Sequence, residues 1–292
     1  MSIKINQLES VNGFSAADTI LVQTPSGTKQ MPLSILMPCT PAAHNNFPRG
    51  KVLTDTYTLA QIYDMVEARD YHDIFVGDKI RATVPAITAT GWTEQVTEFL
   101  VGEIESHKGY GDTTALDNRG HLLIVPAGTL GNAKMNETND TTGAYDGSAM
   151  DDTVLPAVQT ALEAAFGADH LLTAREFLTS VVDTTHASMS VPGAMGCVTF
   201  VNNWKDRKVR LMTELEVYGC SAFSSSGEDN RAGLGHQISL FRLDHTAIYN
   251  RAYWWLSAVC ASTYFCRVDW AGVVTHTGAA HVYGVRPRFI IG

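Results

Sequence analysis

Ten histidines, five cysteines and a close pair of glutamates are the residues of this 292-residue chain whose types could do catalytic or metal chemistry. Asp244-His245 and the pair His276 and His281 come nearest to clustered ligands, but their spacing matches no familiar zinc arrangement. H-E-x-x-H, G-x-S-x-G and the P-loop are absent, and Gly233-Leu234-Gly235 holds half a dinucleotide fingerprint with no convincing strand before it. Glu214 and Glu216 flank Leu215 at strand spacing, which turns both carboxylates to one side and suits glycoside hydrolysis. The plain alternative is an amphipathic strand or helix with a solvated acidic face. The polar stretch Asn132 to Asp152 is rich in oxygen ligands, yet it lacks the D-x-[DN]-x-[DN]-G spacing and the twelfth-position Glu of a calcium loop. The expectation is therefore no metal and no cofactor.

Composition narrows the classes further. Apolar residues make up 45% and charged residues 17%, which predicts a well-packed chain rather than a disordered one. The net charge of -9 without a basic block argues against a nucleic-acid partner. Met1 to Gln7 has no apolar signal core, and no run of eighteen apolar residues occurs, so neither secretion by a leader nor membrane insertion is expected. An odd cysteine count without a C-x-x-C pair (Cys39, Cys197, Cys220, Cys260, Cys266) points to reduced thiols, mostly buried as small hydrophobes.

The elements that would position any site read as follows. Ile20 to Gln23, a turn over Thr24 to Gly27 and a return arm over Thr28 to Met31 predict an N-terminal β-hairpin within residues 1–37. An isolated hairpin is marginal in water, so it needs a partner or a docking surface. Residues 38–50 carry three prolines and read as a linker, and the main domain is expected over 51–292. Leu59, Ile62, Tyr63 and Val66 predict a helix capped by Thr58, and Val154 to Phe166 a second one stopped by Gly167, with Asp151, Asp152 and Thr153 at its start. Strands are expected at Ile74 to Val76, Lys79 to Val84, Phe99 to Ile104 and Leu122 to Pro126, with further ordered pieces at Glu176 to Val182 and Val209 to Gly219. Two helices, then short strands and long loops, make an α+β domain with one antiparallel core.

The last forty residues are the most informative. Tyr253-Trp254-Trp255-Leu256-Ser257 is too aromatic for a loop, and Phe289-Ile290-Ile291 is a terminal strand. Between them, Cys266 and Val268 would point to one face of a strand, leaving Phe265, Arg267 and Asp269 on the other, with a turn at Gly272. No Lys, Glu, Gln or Met occurs after Gln237.

The series Y-W-W-L-S, F-C-x-V, a Gly and then Gly284-Val285-Arg286-Pro287-Arg288-Phe289 resembles the C-type lectin-fold domain of phage and bacterial proteins diversified by retroelements. In that family adenine randomisation of Asn codons yields no Lys, Glu, Gln, Met or Trp, which agrees with the depleted tail except at Trp270. The resemblance implies a C-type lectin-like fold with two helices and antiparallel strands. It also implies a constant frame of Trp254, Trp255, Leu256, Phe265, Cys266, Val268, Gly272, Gly284, Val285, Arg286 and Pro287. The displayed, ligand-binding positions it implies are Ser257, Tyr264, Arg267, Asp269, Trp270, Ala271, Val273, Thr275, His276, Thr277, His281 and Tyr283. The E-P-N and Q-P-D tripeptides of calcium-type lectins are absent, so neither calcium nor a sugar is implied.

The N-terminal pattern of Leu8, Ala17 to Val22, a Gly turn and Leu33 resembles the leading segments of phage tail and fibre proteins, which implies attachment through residues 1–37 to tail or baseplate proteins. The expected protein is a non-enzymatic virion adhesin of the tail fibre or tail tip, trimeric like related fibres, that binds a host-cell surface protein or glycan. A virion decoration protein without a ligand remains open. So does an enzyme, either a glycan hydrolase using Glu214 and Glu216 or one of the formylglycine-generating type using Cys260 and Cys266.

Overall fold

Thr58 sets the first helix: its hydroxyl accepts from the Gln61 backbone while the Gln61 side chain accepts from the Thr58 N–H, a reciprocal cap that starts α1 (Leu59–Glu67). Ile62, Tyr63 and Val66 are its buried stripe. In this computed structural model the described residues are 19–24, 27–32, 44–180, 203–223 and 233–292. Within them the chain is a mixed α+β fold with four α-helices and mostly antiparallel sheets.

The N-terminal hairpin pairs β1 (Thr19–Thr24) with β2 (Gly27–Pro32), Thr24 facing Gly27. Residues 1–18, 25–26 and 33–37, Leu8 and Leu33 among them, and linker residues 38–43 lie outside the described residues. Residues 44–50 are tied down rather than extended. The His44 ring donates to Ile74 O at 2.6 Å, Asn45 exchanges two bonds with the Ile104 backbone, and Arg49 forks onto Asp78. The ordered body thus includes residue 44.

One sheet has the order β10 (Val209–Leu211), β15 (Pro287–Ile291), β5 (Leu122–Pro126), β4 (Gln95–Ile104) and β3 (Lys79–Val84), with β7 (Leu171–Leu172) also on β15. The second has the order β13 (Val274–Gly278), β12 (Tyr264–Val268), β11 (Trp254–Ala261), β14 (Tyr283–Gly284) and β6 (Asn132–Ala133). β8 (Ala174–Phe177) pairs β9 (Trp204–Arg207). α2 (Leu155–Phe166) buries Leu155, Val158, Leu162 and Phe166 and ends at Gly167, whose φ of 91° suits glycine.

Several expectations change. Ile74 to Val76 is not a strand, because the Asp78 carboxylate accepts from Phe75 N and Lys51 N and holds the chain in a turn. The three residues expected to begin α2 belong instead to a π-helical turn, Met150–Val154, which buries Asp151 against Arg207 at 2.7 Å. Glu214 to Tyr218 is a helix, α3, capped reciprocally by Thr213 and Glu216, not a strand. A fourth helix, α4 (Ser239–Leu243), was not foreseen. Val181 and Val182 lie outside the described residues.

Candidate functional site

The C-terminal sheet grows from the β11–β12 hairpin. Trp254 faces Val268 and Trp255 faces Arg267, and the register then slips between Trp255 and Val259. At the slip Ser257 turns its N–H and hydroxyl to Met212 O, at 2.9 and 3.3 Å, so Ser257 is 1% exposed. That corrects its expected place among displayed residues: the bulge spends its backbone on β10's neighbour and draws the side chain inward. Alternation otherwise runs as the sequence implies. Trp254, Cys266 and Val268 enter one apolar cluster, and Trp255 and Phe265 the other. Phe265 therefore shares Arg267's face yet is buried.

The remaining candidates divide into three groups. The first is a face on which the Arg267 guanidinium lies over Tyr253 at 4.4 Å and Tyr283 at 4.3 Å, the two rings 5.4 Å apart. Its Nε and Nη1 are buried without an acceptor among the described residues, so aromatic contact holds it. Thr275 pairs with Arg267 across the sheet, and His281 lies 6.1 Å from Tyr283. Thr277 belongs to this face but is buried, with its hydroxyl 2.7 Å from His281 Nδ1, so it supports His281 rather than being displayed.

The second group is the β12–β13 turn. The Asp269 carboxylate accepts from Ala271 N and Val273 N, at 2.8 and 2.9 Å, so this residue shapes the turn. Gly272 has φ 79°, and a Cβ there would fall 1.8 Å from the Tyr249 ring. The turn projects Ala271, Trp270 (61% exposed) and Val273 (57%) beside exposed Tyr249. The third group is on the opposite sheet face, where Tyr264 stacks on His276 at 5.2 Å and Phe223 meets the same imidazole edge-on. Tyr253, Tyr249 and Phe223 were not among the expected contact residues. Tyr253 belonged to neither the implied frame nor the implied displayed set, Tyr249 lies four residues before it, and Phe223 comes from a distant stretch of the chain.

The frame is buried on both faces of the sheet. Trp254, Trp255 and Arg286 are fully buried, and Trp255 Nε1 donates to Ala133 O. β15 carries Arg288 into a buried network in which its guanidinium meets Glu176 and Glu216, while Arg210 donates to Glu176 at 3.0 Å. Those arginines hold the Glu176 carboxyl well below the usual range against the opposing cost of burial. His107 Nε2 donates to Glu176, and burial lowers the pKa of His107.

This network overturns the paired-carboxylate expectation. Glu214 and Glu216 are both buried, and helical geometry separates them. Glu214 accepts from Ala222 N and Phe223 N, whereas Glu216 caps α3 and meets Arg288. Cys260 and Cys266 are buried and form no disulfide, Cys220 is exposed, and Cys39 and Cys197 lie outside the described residues. A groove of about 280 Å³ between α2 and β9, lined by Asp151, Asp152, Gln159, Asp206 and Arg207, lies apart from the C-terminal candidates. No group of three His, Cys, Asp or Glu side chains among the described residues could hold a metal ion, and no helix there is long and apolar enough to cross a membrane.

No family model, curated protein or solved structure matches the chain.

Proposed function

We propose that this chain is a phage virion adhesin whose C-type lectin-like domain presents residues 253–283 to a host-cell surface protein or glycan. The observation that carries the reading is the contrast within one short sheet. Fully buried Trp254, Trp255 and Arg286 adjoin partly or fully exposed Tyr253, Arg267, Trp270 and Tyr283. Aromatic rings and a guanidinium on a fixed support are the residue types that concentrate binding energy, because they bring large contact area at low entropic cost. The likeness of the Y-W-W-L-S and G-V-R-P segments to retroelement-diversified lectin domains supports the same reading. In it residues 1–37 attach to tail or baseplate proteins, the protein is a trimer, no cofactor takes part, and weak single-site affinity is multiplied by avidity.

The test is adsorption of the purified protein to candidate host cells, comparing wild type with Arg267→Ala, Trp270→Ala and Tyr264→Ala at matched thermal stability. Loss of adsorption in the first two supports the surface on the Arg267 face and the turn. Unchanged adsorption in all three refutes it. Virion incorporation that survives deletion of residues 1–37 refutes the anchoring role.

A further inference from the structure

Arg286 immediately precedes β15 and Arg288 lies within it, both buried, but only Arg288 meets a carboxylate. Arg288 is bracketed by Glu176 and Glu216, and nearby Arg210 also meets Glu176. Arg286 has no acidic partner among the described residues. Its Nε donates to Pro126 O at 3.0 Å and its Nη2 to Ala127 O at 3.4 Å, and its flat face lies 4.9 Å from the Trp254 ring and 5.6 Å from Phe241. Among the described residues Nη1 has no acceptor, and neither has the buried Nε1 of Trp254, the ring on which the guanidinium rests. Burial pushes the guanidinium down to about 9, which still leaves it charged at neutral pH.

Two adjacent buried donors and an uncompensated positive charge call for a negatively charged acceptor. Buried polar groups are otherwise almost always satisfied, and an unpaired buried charge is far costlier than an unpaired dipole. Water would supply the acceptor but not the charge. Oxyanions with several acceptor oxygens need more donors than the apolar cluster that holds Trp254 and Phe241 provides.

We propose that Arg286 Nη1 and Trp254 Nε1 bind a small monovalent anion of halide size inside the C-terminal frame. The site is independent of the adhesin reading and lies on the side of the sheet opposite Arg267. Its occupancy stabilises the frame by linkage, because the anion binds the folded chain and not the unfolded one.

The probe is bromide on the full chain. In crystals grown with sodium bromide, anomalous scattering should place bromine within hydrogen-bond reach of both nitrogens. In solution, at ionic strength fixed with gluconate, the melting temperature should rise about 3–5 °C for each tenfold increase in bromide above its dissociation constant. Trp254→Phe keeps the ring but removes one donor, so it should weaken the halide dependence while still folding; Arg286→Met should abolish it where that variant folds. The proposal is overturned by a water or no density at the position. It is overturned equally by bromide density without a melting shift, which is an adventitious ion only, or by full halide dependence in Trp254→Phe.

Discussion

Replacing Glu176 by Gln is the sharpest single perturbation of the frame. Both carboxylate oxygens are committed: Oε1 accepts from Arg288 Nη1 at 2.8 Å and His107 Nε2 at 3.0 Å, and Oε2 from Arg288 Nη2 and Arg210 Nη1, each at 3.0 Å. All four residues are buried, and with Glu216 the two acids balance the two arginines while His107 stays neutral. Gln leaves one guanidinium charge uncompensated and turns an amide N–H₂ toward donors that need acceptors. Removing one partner of a buried ion pair typically costs about 3–5 kcal/mol. With a urea slope of about 2–3 kcal/mol/M, the unfolding midpoint should fall by about 1–2.5 M. Urea titration followed by tryptophan fluorescence and far-UV circular dichroism measures it. Adding Arg210→Met removes the stranded charge, so the double variant should be destabilised by less than the sum of the two single variants. A midpoint shift under about 0.3 M, or strict additivity in the double variant, would refute the claim that this network organises β8, β10, α3 and β15.

Other expectations can be checked with equally direct measurements. Burial lowers the pKa values of His44 and His107 and pushes His121 down to about 4, whereas an unfolded histidine titrates near ~6.5. Between those values the unfolded chain binds protons that the folded chain refuses, so stability should fall as pH drops from about 6.5 toward 4. His236, raised by its bond to Glu103, acts in the opposite sense: its contribution is present below the unfolded value and is lost as pH rises through its folded value. A melting temperature that stays flat or rises on acidification through that window contradicts this account. Gly284→Ala puts a Cβ 2.3 Å from Thr129 Cγ2 and 2.7 Å from Tyr253 O, and should cost about 1–3 kcal/mol through overpacking. It should also weaken adsorption, since Gly284 N holds the backbone of Tyr253, and unaltered stability would show that the β11–β14 contact gives way easily. Thr58→Ala removes the reciprocal cap of α1 and should lower stability by about 1 kcal/mol, read by chemical denaturation; no change would mean that tertiary packing alone starts this helix.

Local chemistry made part of the architecture legible. Thr58 and Gln61 announce α1, Gly167 ends α2, and the alternation of Phe265, Cys266, Arg267 and Val268 assigns those side chains to opposite sheet faces. These features depend on neighbours a few residues away, which a single sequence displays. Ile74 to Val76 misled because its apolar run fits a strand, whereas the Asp78 carboxylate takes the donors that a strand would use. Glu214 and Glu216 misled because a two-residue spacing has one meaning in a strand and another in a helix, and the choice rests on the Thr213 cap.

The candidate surface divides along the same line. The sequence by itself determined which residues of the tail form a small and aromatic set and where its turn falls, and its resemblance implied that Trp254, Trp255 and the G-V-R-P segment belong to a frame. Only the tertiary structure decided that Ser257 and Thr277 turn inward, that Asp269 ties the turn, and that Tyr264 and His276 lie on the face opposite Arg267. It alone brought Glu176 to Arg288 across 112 residues and left Arg286, two positions away, without a carboxylate among the described residues. The physical reason is that periodicity specifies which side of its own element a residue occupies, whereas burial and charge pairing depend on what the rest of the chain places against that side.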